Sequence, residues 1–246
     1  MTVDACAALV ERGDPDRFRA VMAAPVAARP PLWVLYAFNL EVARAPWVTR
    51  EPMIAEMRLQ WWRDVLTGPE RAHEVAGPLH ALIRDKALPV AVLDRVIAAR
   101  RWDVYSEAFA DQAAFDAYLD DTAGGLMWLA ALASGGGDEA AARAFGWASG
   151  LAAFLRAVPD LEARGRVPLV DGRPQAVKEL AVEGLRRLDL ARRSGARGPA
   201  LLAGWQARGL LEQVVADPLV VAEGRMGLSE FSSRGRLLWQ AVTGRY

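Results

Sequence analysis

The chain has a single cysteine, Cys6, in 246 residues. That excludes an intrachain disulfide and a cysteine-clustered zinc site, and it points to a reducing compartment. Histidine is almost as scarce. His73 and His80 stand seven residues apart with Gly77-Pro78 between them, so they do not share a helix face as a His-x-x-x-His pair would. Neither sign of charge is in excess, with 30 Lys+Arg against 30 Asp+Glu, which argues against a nucleic-acid partner. The longest apolar run, Gly124 to Ala133, falls far short of the roughly 20 residues that cross a bilayer. The first twelve residues carry Asp4 and Glu11 and do not read as a secretory signal. A cytoplasmic location is expected, with peripheral membrane contact as the variant. There is no Gly-x-Ser-x-Gly elbow, no internal repeat, no sustained heptad and no low-complexity tail.

What is present is helix. Pro15, Pro30-Pro31, Pro52, Pro89 and Pro174 each stand where a helix can begin. Between them apolar residues recur at three- and four-residue steps, as in Val90, Leu93, Val96 and Ile97, and again in Phe115, Tyr118, Leu119, Thr122, Leu126 and Leu129. Gly135-Gly136-Gly137 reads as a joint between two helices, and Arg164 to Pro174 as an extended connector. The length suits one large core, and a single domain over residues 1–246 is expected. Trp33, Trp61, Trp102, Trp128, Trp147 and Trp239 lie on apolar stripes and are expected in that core.

The polar residues give no self-sufficient catalytic centre. Glu56, Gln60 and Asp64 fall at i, i+4 and i+8 and share one helix face. That face is either solvated and ion-paired or the polar lining of a cavity. Asp120 and Asp121 are adjacent and so point about 100° apart on an α-helix, a poor arrangement for chelating one ion. Gly124-Gly125 sits inside a helical stripe, where absent side chains let another helix or a ligand approach.

The segments Leu35-Tyr36-Ala37-Phe38-Asn39 and Glu56 to Asp64, with Gln60-Trp61-Trp62-Arg63-Asp64 the most specific block, resemble the squalene/phytoene synthase family, as do Arg156 and Gly165-Arg166. The resemblance implies an all-α isoprenoid synthase-like helical bundle around a central cavity that receives prenyl diphosphates. It also implies two Asp-x-x-x-Asp motifs holding Mg²⁺ at the cavity mouth. Carboxylates four apart share a face and can neutralise a leaving diphosphate through the metal. Here the first pair would fall at Ala43 and Trp47, with an accessory acid at Arg44, and the second at Ala157 and Leu161. All five positions lack a carboxylate.

This loss is similar to a branch of the family represented by the mitochondrial complex I assembly factor of squalene/phytoene synthase type. The reading that follows is a non-catalytic protein with no resident metal or cofactor, which binds a protein partner or an isoprenoid-like lipid. Its candidate cavity or ligand-binding residues are Tyr36, Asn39, Arg44, Gln60, Arg63, Asp64, Tyr118, Asp121, Gly124 and Arg156. The alternative is an active prenyl-diphosphate transferase with Mg²⁺ ligands relocated to Glu41, Asp64, Asp121 or Asp160. A third reading places Arg234, Arg236, Trp239 and Arg245 of the last helix against lipid headgroups.

Overall fold

The computed structural model describes residues 2–105 and 107–244, and for residues 230–234 the backbone alone. Fourteen α-helices account for the architecture among the described residues, with no strand. The first nine are α1 (Val3–Gly13), α2 (Pro15–Ala23), α3 (Arg29–Arg44), α4 (Pro52–Thr67), α5 (Ala76–Lys86), α6 (Val90–Ala99), α7 (Arg101–Val104), α8 (Gln112–Leu119) and α9 (Gly125–Ser134). They are followed by α10 (Glu139–Ala163), α11 (Pro174–Arg193), α12 (Ala207–Ala216), α13 (Leu219–Ala222) and α14 (Glu230–Thr243). The prolines do what the pattern predicts: Pro15, Pro52 and Pro174 open α2, α4 and α11, where their missing N–H costs no helical bond.

Side-chain caps fix other starts. Asp14 accepts from the Arg17 amide at 3.0 Å, Asp111 from Ala114 at 2.8 Å and Asp138 from Ala141 at 2.7 Å. His73 has a related role, its Nδ1 accepting from the amides of Val75 and Ala76 at the start of α5 while its ring packs on Trp61 and Trp62. Gly135, Gly136 and Gly137 all hold positive φ in the joint between α9 and α10, a conformation that side chains resist.

The longest helix, α10, runs through the middle and packs against α9, α11 and α12, while α3 packs against α1 and α9. Pro159 lies inside α10 without ending it. Between α8 and α9 the backbone widens into one π turn, Asp120–Gly124. The expected stripe through it is buried as predicted, from Phe115 to Leu129. The π turn meets α10 through glycine: a Cβ on Gly146 would stand 2.6 Å from the Ala123 carbonyl oxygen, so only a bare backbone allows this crossing.

Trp33 and Trp147 are core residues as expected, and so are Trp62 and Trp205. Trp61, Trp102 and Trp128 are partly buried against that core. Trp239 departs from expectation: it is 52% exposed, because α14 lies on the outside of the bundle and turns that position outward. The Arg234 side chain and all of Arg245 lie outside what is described. No helix among the described residues is long and apolar enough to cross a membrane.

Candidate functional site

A central cavity opens where the turn after α3 faces the C-terminal end of α10. Its mouth has a volume of about 340 Å³ and is lined by Trp47, Ala157, Asp160, Leu161 and Arg164, with Arg17, Arg100, Asp103, Tyr118 and Thr122 among the facing residues. An inner chamber of about 110 Å³ carries Asp14, Asp16, Tyr36, Ser149, Arg156 and Gln206. Arg17, Ala123, Gly150 and Ala153 line both spaces and so form the partition between them.

Trp47 stands where the family resemblance calls for a metal-binding aspartate, and two cations hold it. The guanidinium carbons of Arg164 and Arg166 lie 4.9 and 5.0 Å from its ring centroid, a cation–π pairing that keeps positive charge at the mouth. Arg166 also donates to the backbone carbonyls of Asp103 and Tyr105 and, at 3.2 Å, to that of Trp102. These bonds tie the connector after α10 to the end of α7.

A buried polar knot lies beside the mouth. Tyr118 donates to Asp103 at 3.1 Å, and Arg100 donates to the Tyr118 oxygen at 2.9 Å and to Asp103 at 3.3 Å. Burial pushes the Asp103 carboxyl and the Tyr118 phenol upward, against the pull of the Arg100 guanidinium. With its oxygens taken up in this way, Asp103 is a structural partner. In the inner chamber, Tyr36 is buried and its hydroxyl has no hydrogen-bond partner among the described residues. Burial raises its phenol to about 12, so it faces the chamber as a neutral donor.

The candidate residues therefore separate. Tyr36, Tyr118 and Arg156 reach the cavity walls. Asn39 is buried in α3 and Gly124 in the π turn, neither lining the two chambers. Arg44 is exposed.

The Gln60 face needs correction as a cavity lining, since it looks outward. Gln60 donates to Asp64 at 2.7 Å, Arg63 forms a forked pair with Asp94 of α6, and Glu56 holds Arg101. The aromatic face of α4 turned inward instead, because burying Trp62 and Leu59 removes more apolar surface from water. Asp120 and Asp121 turn to different partners, Arg143 at 2.9 Å and Arg95 at 3.3 Å. Asp160, in contrast, does line the mouth. Arg17, Arg100, Asp103 and Arg164 are site residues that the pattern did not single out; only the i, i+3 spacing of Arg100 and Asp103 offered a signal.

The Mg²⁺ implied by the family resemblance does not fit these residues. Ala43, Trp47, Ala157 and Leu161 offer no side-chain oxygen, and Asp160 is the carboxylate at the mouth without an ion pair among the described residues. Among the described residues no three His, Cys, Asp or Glu side chains come together as a metal site. Magnesium needs more oxygen donors than one carboxylate supplies.

Comparison with solved structures shows the same fold. A dehydrosqualene synthase determined in complex with ligand superposes with a TM-score of 0.82, covering 98% of this chain and 95% of that one at 14% identity. The squalene synthase HpnC from Alicyclobacillus acidocaldarius gives 0.72, covering 92% and 95% at 18% identity. Among curated proteins, the complex I assembly factor 6 homolog of Drosophila melanogaster is 29% identical over 178 residues, 67% of this chain and 53% of its own length. Complex I assembly factor 6 of Homo sapiens is 25% identical over 169 residues, 66% of this chain and 51% of its own length. The chain thus spans about half the length of the curated relatives it matches. The squalene/phytoene synthase family model matches residues 10–207, and with the helical fold shared throughout, this chain belongs to the squalene/phytoene synthase family.

Proposed function

We propose that the chain is a non-catalytic member of its family that acts in protein assembly through a protein partner, as the names of its animal relatives say of complex I. The observation that carries this reading is Trp47, held by Arg164 and Arg166 in a mouth lined by Ala157 and Leu161 at two of the other motif positions, with Ala43 at the remaining one. Ionising an allylic diphosphate requires charge neutralisation where the leaving group departs, and a metal supplies it in carboxylate-lined sites. An indole and three aliphatic side chains have no means of holding that metal.

The cavity need not be idle under this reading. Arg17 and Arg156 are already paired there with Asp14 and Asp16, so the unpartnered Tyr36 hydroxyl suits a hydroxylated headgroup, and the apolar wall of Ala123, Leu126 and Met127 suits an isoprenoid-like tail. A ligand of that kind would stabilise the fold without being turned over.

A second reading, prenyl transfer with relocated Mg²⁺ ligands, has Asp160 in its favour, since that carboxylate does face the mouth. One experiment divides the two. Farnesyl diphosphate is added to the purified protein with and without Mg²⁺, and diphosphate release is followed together with thermal stability. No release is expected in either condition. Metal-dependent release that Asp160→Asn abolishes would establish the transferase. For the assembly role, deleting the gene is expected to deplete the assembled respiratory NADH dehydrogenase on native gels, and an undiminished complex would defeat it.

A further inference from the structure

Outside both chambers, residues of α10, α11, α12 and α14 line a half-open pocket of about 790 Å³, within the range of small-molecule sites. Among the described residues four arginines line it: Arg192 and Arg197 at the end of α11 and in the loop beyond, Arg208 on α12 and Arg236 on α14. No carboxylate lines it among the described residues. Asp189 of α11 holds Arg208 at 2.6 Å and Arg192 at 3.7 Å from outside the lining, and Glu212 reaches Arg208 at 4.0 Å. Arg197 and Arg236 have no carboxylate partner within 4.0 Å among the described residues.

Apart from Gln240, the described remainder of the wall is apolar. Phe145, Leu188 and Leu201 are buried, and Trp239 stands over them from α14. Gln240, beside Trp239, is 7% exposed, and its Oε1 has no hydrogen-bond partner among the described residues.

Guanidiniums of one sign around a common space repel one another unless an anion joins them. Trp239, 52% exposed, leaves apolar surface in water unless an apolar group covers it. Both deficits are met by a single ligand with an anionic head and an apolar chain. Guanidinium forks match phosphate geometry with paired N–H donors, and a phosphate monoester brings up to two negative charges to the two unpaired arginines. In its singly charged form the ester keeps one P–OH, which supplies the donor that the Gln240 oxygen lacks. We infer that this cavity is a binding site for a phosphate monoester carrying an apolar chain, with Arg197 and Arg236 on the phosphate and Trp239 on the chain. The site is separate from the central cavity and does not depend on the assembly reading.

The test is calorimetric titration of the full chain with decyl phosphate below its aggregation threshold. One-to-one saturable binding is expected, with inorganic phosphate and decanol each at least tenfold weaker. The double variant R197Q/R236Q is expected to weaken decyl phosphate at least tenfold while keeping its ligand-free thermal midpoint. Binding at wild-type strength in a folded R197Q/R236Q protein overturns the proposal. So does binding that this variant keeps but R17Q/R164Q loses, which would place the ligand in the central cavity. Inorganic phosphate binding as tightly as decyl phosphate also overturns it, because the apolar wall would then contribute nothing. Competition by phosphatidylcholine vesicles containing phosphatidic acid assigns the head to a bilayer lipid; decyl phosphate binding without such competition assigns it to a soluble ester. Both of those results support the site.

Discussion

At Gly146 a methyl group would meet the Ala123 oxygen and Met127 Cβ at 2.6 Å, and Gly124 Cα at 2.9 Å. Two of those three atoms are backbone, so no rotamer change relieves the contact. Gly146→Ala is expected to destabilise by about 2 kcal/mol or more, the cost of overpacking a close helix crossing. Gly172→Ala, where nothing lies within 4 Å, is expected to stay within about 0.5 kcal/mol as an unconstrained surface change. Urea midpoints of the two variants check the contrast. Trp47 gives the second residue-scale expectation: Trp47→Ala removes two cation–π contacts worth about 0.5–1 kcal/mol each at partly exposed sites, and it also widens the mouth. Thermal melts should show the loss, and a midpoint at or above wild type would contradict Trp47 as a support of the mouth. Single residues are also where the sequence was least legible. The i, i+4 spacing of Gln60 and Asp64 says that they share a face, but not whether that face looks inward. The answer depended on Trp62 and Leu59 across the helix.

Among the helices, α11 is joined to the core by a charged device. Glu183 accepts from Arg186 at 2.6 Å and from Arg187 at 2.7 Å, and Arg187 lies 3.8 Å from the ring centroid of the buried Trp147 on α10. Arg186, and then Arg187, pull the Glu183 carboxyl from an ordinary value of 4.5 to about 2. A depressed carboxyl adds stability that is present above pH 4.5 and is lost as pH falls toward 2. Glu183 is a third exposed, so screening reduces the contribution to about 1 kcal/mol. Glu183→Gln is expected to lower stability by that amount at neutral pH and to match wild type below pH 2. Urea unfolding at pH 7, 4 and 2 reads this directly, and an equal loss at all three would make the effect one of packing. Helix starts were readable in advance because proline and aspartate act within one turn of themselves. The π turn was not, since its widening answers the close approach of Gly146 and Gly150 from α10.

At the scale of the molecule, the helical fold is that of solved squalene and dehydrosqualene synthases, while the mouth carries Trp47, Ala157 and Leu161 where the family resemblance calls for carboxylates. The fold was legible because its evidence is periodic and spread along the chain. The pocket lined by four arginines among the described residues was not, since Phe145 and Arg236 are remote in sequence and come to one pocket only when α14 packs onto α2 and the turn at 199–204. If the scaffold still sets the mouth geometry, returning carboxylates to it should restore a metal response. The variant A43D/W47D/A157D/L161D is expected to melt below wild type without metal, as four acids repel one another and the Trp47 contacts are gone. Arg17 and Arg164 at the mouth offset part of that repulsion, so Mg²⁺ must compete with them and binding will be weak. At about ten times its Kd, Mg²⁺ adds about 1.4 kcal/mol, or roughly 3–6 °C for a chain of this size. Wild type should not shift in the same titration. A wild-type response equal to the variant's would mean that the carboxylates now present, Asp160 first among them, already hold the ion.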